Sequence, residues 1–122
     1  MYQVSVEGHF DAAHYLRDYG GKCENLHGHR FKVIVSLNAA KLNKIGLAYD
    51  FTELKSHLGE VLARFDHTSL NDVPPFDKIN PSSENIAMTI YDELKGLFSG
   101  GVALSTVEVW ESPESRVAYS PK

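Results

Sequence analysis

The sequence predicts an α+β fold of order ββααββ: an antiparallel four-stranded sheet with two helices on one of its faces. Three observations carry that prediction. The chain begins and ends in segments of period-two hydrophobicity, its middle holds two segments of helical period, and the breaks between them are rich in Gly and Pro. At 122 residues the chain is the size of one domain, residues 1–122, with no room for separate cofactor and catalytic domains.

Residues 2–15 alternate. Val4, Val6, Phe10, Ala12 and His14 share one parity, and Gln3, Ser5, Glu7, His9 and Asp11 the other. That is a strand with one buried face. A loop at 16–26 turns at Gly20-Gly21. Alternation resumes over 27–38, where His27, His29, Phe31, Val33, Val35 and Leu37 share a face, so the two strands are expected to pair antiparallel. Asp50-Phe51-Thr52-Glu53 resembles a capping box. Leu54, Leu58, Val61, Leu62 and Phe65 then follow at helical spacing. After a loop over 66–80, Pro81-Ser82-Ser83-Glu84 opens a second helix, which carries Ile86, Ile90, Leu94 and Leu97 and stops at Gly100-Gly101. Residues 102–111 form a third strand, with Val107, Val109 and Glu111 on one face. Pro113-Glu114-Ser115 is the turn, and 116–120 the fourth strand. The open edges of such a sheet invite pairing with further chains.

Composition excludes several function classes. Twelve Lys and Arg against sixteen Asp and Glu leave a net charge of −4, which offers nucleic acid no electrostatic footing. The single cysteine, Cys23, cannot form an intrachain disulfide and suits a reducing compartment. No apolar run approaches the roughly 20 residues of a membrane span, and the first residues lack a signal peptide's pattern, so a cytoplasmic location is expected.

The six histidines are the informative feature. His27 and His29, at i and i+2, leave the same face of a strand, with Cα atoms about 6.6 Å apart. His14 ends the first strand on its apolar parity. If the strands pair, three imidazoles meet at one end of the hairpin, the pattern of a catalytic Zn²⁺ site with an open fourth position. A histidine on a strand is more often structural or solvated, and that is the reading of His9, which has the opposite parity, and of His57. Cys23 lies four residues before His27 in a polar loop, where a thiol can serve as base or nucleophile. In Asp66-His67 a carboxylate can orient an imidazole for proton transfer. Glu111, a carboxylate on apolar parity at a strand end, needs a partner, either a ligand or a salt bridge at the sheet margin. Ser82 and Ser83 are accounted for as helix caps, although free N–H groups at a helix start can also hold a ligand. No Gly-rich dinucleotide fingerprint is present.

Taken together, F-D-A-A-H (10–14), C-E-N-L-H-G-H (23–29), F-D-H-T-S-L-N (65–71), P-S-S-E-N (81–85) and V-E-V-W-E (107–111) resemble the 6-pyruvoyltetrahydropterin/6-carboxytetrahydropterin synthase family along nearly the whole chain. The resemblance implies a tunnelling (T) fold, with four strands per subunit in a trimeric barrel and two trimers stacked as a homohexamer. It implies Zn²⁺ on His14, His27 and His29, and Cys23, Asp66 and His67 as the catalytic set, assembled across a subunit interface. Glu111 would clamp the pterin, with Ser82, Ser83 and Glu84 helping to seat it, and Glu111 would not be a metal ligand. The three-residue spacer between Cys23 and His27 is similar to the bacterial branch that converts 7,8-dihydroneopterin triphosphate to 6-carboxy-5,6,7,8-tetrahydropterin, releasing acetaldehyde and triphosphate, in queuosine and 7-deazaguanine synthesis. The alternatives are 6-pyruvoyl synthesis, without carbon–carbon cleavage, and a non-catalytic zinc-stabilised assembly module, which a fourth protein ligand, for example Cys23, would support. Arg17, Lys22, Arg30 and Lys32 are candidates for the triphosphate.

Overall fold

A computed structural model describes all 122 residues. Strand β1 (Tyr2–His14) and strand β2 (His27–Ala39) form a long hairpin, paired residue for residue from Tyr2 opposite Ala39 to His14 opposite His27. Helix α1 (Phe51–Ala63) comes next, then a short strand β3 (Thr68–Ser69), helix α2 (Ser83–Leu94), strand β4 (Val102–Ser112) and strand β5 (Ser115–Tyr119). The sheet order is β3-β1-β2-β4-β5. Every pairing is antiparallel except β1 with β3.

The fifth strand departs from the expected four. After α1, His67 adopts the left-handed conformation, φ 58°, and its N–H donates to the Asp11 carbonyl at 2.6 Å. That turn reverses the chain so that Thr68 and Ser69 run parallel beside Ala12 and Ala13. Two residues carry no periodicity, so nothing in the sequence marks them as a strand.

Both helices lie over the face that carries Val4, Val6, Phe10, Phe31, Val33, Val35, Val107 and Val109, all buried. Alternation alone requires this: once one parity is apolar, it must be covered. Phe10 stacks on Phe31 at 4.8 Å between ring centroids and meets Phe65 at 5.7 Å. Removing a buried Phe of this kind costs about 3–5 kcal/mol. Gly8 is where α1 comes closest to the sheet. A Cβ there would stand 2.9 Å from a Leu62 methyl and 3.2 Å from one of Leu58, so any side chain would lift the helix.

The helix starts follow their caps. Asp50 accepts from Thr52 N at 2.8 Å and Ser82 from Asn85 N at 3.1 Å. Only half of the expected capping box forms, because Glu53 turns to Tyr49 and lies 3.9 Å from His57. Both helices end earlier than their apolar periodicity. Phe65 is buried from a turn after α1, and Leu97 sits in a 3₁₀ turn, Lys95–Leu97. No helix is long and apolar enough to cross a membrane.

Candidate functional site

The β1–β2 register brings the histidines together. His14 lies opposite His27, and His29 opposite Ala12, so all three leave the core face at the end of the hairpin. Their ring centroids are 4.6, 4.8 and 5.2 Å apart, and the edge of Phe31 closes the inner side. His9 is on the exposed face, as expected. His57 is half-buried, edge-on to Phe98, and belongs to packing rather than to the surface.

The tautomers are set by the partners. His14 Nδ1 donates to the Pro81 carbonyl at 2.7 Å, and His27 Nδ1 to the Asn25 carbonyl at 2.6 Å. A carbonyl only accepts, so in the neutral rings each Nε2 presents a lone pair. Glu111 Oε1 lies 3.2 Å from His14 Nε2 and 2.9 Å from His29 Nε2. A lone pair facing a carboxylate oxygen is repulsive unless a cation lies between them, either a proton or a metal ion. His29 Nε2 is buried and lacks an aligned hydrogen-bond partner despite the short contact. Burial holds the His29 imidazole below its ordinary value, opposed by Glu111 and helped by His14 and His27, a direction that favours the neutral form able to ligate. One ligand atom from each of His14, His27, His29 and Glu111 falls within 4.8 Å of the others. These residues fit a divalent ion with nitrogen and oxygen ligands, anchored by carbonyls behind two of the rings.

Glu111 continues the parity of the buried Val107 and Val109 and stands at a β-bulge against β5. Trp110 pairs with Arg116 and Ser112 with Ser115, which leaves Glu111 as the extra residue of β4. Bulges re-aim side chains at sheet margins. The Glu111 Oε1 stands close enough to His14 and His29 to share an ion with them, and its carboxylate also lines the cavity in front of the imidazoles.

A cavity of about 240 Å³ opens in front of the imidazoles, lined by His14, His27, Cys23, Glu111, Ser82, Ser83 and Glu84. Cys23 sits in a 3₁₀ turn, Lys22–Glu24, which is tied to the chain after β1 by Leu16 N donating to the Cys23 carbonyl at 2.6 Å. Ser83 Oγ is buried there without a partner. Leu16, Ser115 and Arg116 also line the cavity. Nothing in the sequence singles these three out, because only the folded turns bring them to the site.

Asp66 and His67 form the expected pair, with Oδ2 3.0 Å from Nδ1. The Asp11 N–H donating to Asp66 at 2.8 Å, then His67, holds this carboxyl below its ordinary value. The pair does not line the cavity of Cys23 and the imidazoles; Asp66 borders a different one beside α1. Of the basic candidates, only Lys22 lies at the site, in an adjoining hollow with Cys23, His27, His29 and Glu111. Arg30 pairs with Asp11 at 4.0 Å and Lys32 covers the Trp110 ring at 4.1 Å, both on the opposite face. Arg17 is committed to the carbonyls of Asn71, Phe76 and Ile79.

The sequence profile of the family described as 6-pyruvoyl tetrahydropterin synthase matches residues 3–122. The chain belongs to that family. It is 36% identical to the 6-carboxy-5,6,7,8-tetrahydropterin synthase of Synechocystis sp., covering 100% of this chain and 96% of that protein. It is 31% identical to the enzyme of the same name from Bacillus subtilis, over 99% of this chain and 86% of that one. The structure of the 6-pyruvoyl tetrahydropterin synthase of Caenorhabditis elegans superposes with a TM-score of 0.85 at 30% identity, covering 100% of this chain and 98% of that one. The fold is the T-fold of these synthases, and the chain is an enzyme of the tetrahydropterin synthase family.

Proposed function

We propose that this synthase converts 7,8-dihydroneopterin triphosphate and water to 6-carboxy-5,6,7,8-tetrahydropterin, acetaldehyde and triphosphate, as a step of queuosine and 7-deazaguanine synthesis in the cytoplasm. The observation that carries this reading is the cavity in which the His14 and His27 imidazoles, the Cys23 thiol and the Glu111 carboxylate converge, with the His29 imidazole in the same cluster behind them. The carboxy product is favoured by the names of the relatives that span the chain and by the three-residue spacer between Cys23 and His27.

His14, His27 and His29 would hold Zn²⁺. When bound, the ion supplies Lewis-acid polarisation of the oxygens on the substrate side chain. Cys23 would take and return protons on the side-chain carbons, and the Asp66–His67 pair would act as the relay. Glu111 would accept from the ring N–H and exocyclic amine of the pterin, while Ser82, Ser83 and Glu84 seat the ring. The unpartnered Ser83 hydroxyl supports that seat.

We further propose that residues 1–122 form one T-fold domain and that the active form is a homohexamer. Two facts support this. A cavity of about 240 Å³ is smaller than the roughly 300–1,000 Å³ typical of small-molecule sites, and Asp66–His67 lies outside it. A neighbouring subunit would supply both the missing wall and the relay. Cys23 is absent from the group of side chains that could share an ion, so a closed site of the kind the assembly-module reading needs would take Glu111, not the thiol, as its fourth protein ligand.

Incubation with 7,8-dihydroneopterin triphosphate, followed by mass analysis of the pterin, tests the reaction. The expected product is the 6-carboxy compound with acetaldehyde. A 6-pyruvoyl product would replace the reading with elimination alone, and unchanged substrate would overturn it.

Glu111→Gln tests recognition. An amide offers one acceptor and one donor where the pterin presents two donors, so affinity for a pterin analogue should fall by about 1–3 kcal/mol. Because Oε1 also faces two imidazoles, Zn²⁺ affinity should fall about tenfold. Separate calorimetric titrations of analogue and metal measure both. Wild-type values for both would make Glu111 a bystander.

A further inference from the structure

We infer that Asn80, through the Pro81 carbonyl, is a positioning residue for His14, fixing the tautomer and direction in which that imidazole faces the cavity. The inference rests on the metal reading only for its consequence, not for its geometry.

Beyond His14 the chain leaves the sheet, and two carboxamides take over the pairing. Tyr15 N donates to Asn71 Oδ1 at 3.0 Å, and Asn71 Nδ2 donates back to the Tyr15 carbonyl at 3.1 Å. Arg17 N donates to Asn80 Oδ1 at 2.9 Å, and Asn80 Nδ2 donates to the Arg17 carbonyl at 3.1 Å. Residues i and i+2 are thus each gripped through both backbone groups, as a neighbouring strand would grip them. The backbone N–H must meet an oxygen and the C=O must meet an N–H, so the orientation of each amide is dictated by its partners.

Asn80 does more than Asn71 because it leads directly into Pro81 and α2. Its own carbonyl accepts from Asn85 Nδ2 at 2.9 Å, which ties it to the first turn of that helix. Pro81 is buried, and its ring fixes φ and keeps Asn80 extended. The Pro81 carbonyl is the acceptor of His14 Nδ1 at 2.7 Å. One side chain therefore joins the tail of β1 to the acceptor that sets the His14 ring. The other group within hydrogen-bond distance of that ring is Glu111, which faces Nε2. Without the Pro81 acceptor, the ring proton would be drawn to Nε2 by that carboxylate, and the lone pair would turn away from the cavity.

The test compares Asn80→Ala and the isosteric Asn80→Asp with Arg17→Met in the full-length protein. Arg17→Met removes the guanidinium bonds to the loop carbonyls but leaves the backbone pairing with Asn80 intact. Imidazole ¹⁵N spectra of chelator-treated protein at about pH 8, above the ordinary histidine pKa of about 6.5, read the tautomer directly. Wild type and Arg17→Met should show His14 protonated at Nδ1, whereas the Asn80 variants should show the Nε2–H form. Zn²⁺ affinity, measured by competition with a chromophoric chelator, should fall about 10–100-fold in the Asn80 variants alone, the usual effect of losing the group behind a ligating imidazole. A wild-type tautomer in both Asn80 variants overturns the inference. So does an equal tautomer change in Arg17→Met, which would assign the effect to general loosening of the loop. If wild-type protein bound no Zn²⁺, the metal reading would fail while the tautomer comparison still decided the role of Asn80.

Discussion

The double substitution His27→Ala/His29→Ala is expected to reduce bound metal from about one Zn²⁺ per chain to a trace, and turnover to background. Two of the three imidazoles that would hold the ion leave together, and one histidine with one carboxylate cannot complete a tetrahedral site. Enzymes commonly accelerate their reactions by 10⁶-fold or more, so a loss of at least about 10⁴-fold is expected if the ion polarises the substrate. The chain should still fold, since both residues lie at the open end of the hairpin and the apolar core starts at Phe31. Elemental analysis and circular dichroism of the purified variant measure metal content and fold. Full metal occupancy in this variant would remove both residues from the ligand set.

Cys23→Ala should retain fold and metal and lose about 10²–10⁴-fold in turnover, the range of a general acid–base group. The thiol lines the cavity but lies outside the group that could share an ion. Metal loss would make it a ligand, and near-normal turnover would take it out of the chemistry. The same variant tests the shared site. If Asp66 and His67 serve the cavity of a neighbouring subunit, Cys23→Ala and His67→Ala chains, each inactive alone, should regain activity when unfolded and refolded together. Random assortment makes about a quarter of the interfaces intact. No recovery, with both variants forming mixed oligomers, would confine the site to one chain.

The strands were legible because burial of one parity writes itself into every second residue, and the histidine cluster was legible because it obeys the same rule. His14, His27 and His29 continue the apolar face of β1 and β2 to its end. What escaped the sequence was whatever depends on a single irregular residue or on partners from distant segments. The bulge at Glu111 has no signature in V-E-V-W-E, and neither has the approach of that carboxylate to His14 and His29, which come from two other strands. Arg17 reads as an exposed cation suited to phosphate, because nothing local reveals three carbonyls waiting in the loop after β3. Asp66-His67 was recognisable as a pair. Its separation from Cys23 was not, because that depends on how α1 and the left-handed turn at His67 place it beside Asp11.

The hairpin register has a consequence for folding fidelity. A slip of one residue between β1 and β2 would send the side chains of one strand to the opposite face, and a slip of two would move His14 about 6.6 Å along its partner. Either error scatters the imidazoles while leaving most backbone hydrogen bonds possible. An ion held by all three rings would therefore proofread the pairing: misaligned hairpins would forgo its binding energy, and only the native alignment of His14 opposite His27 would collect it.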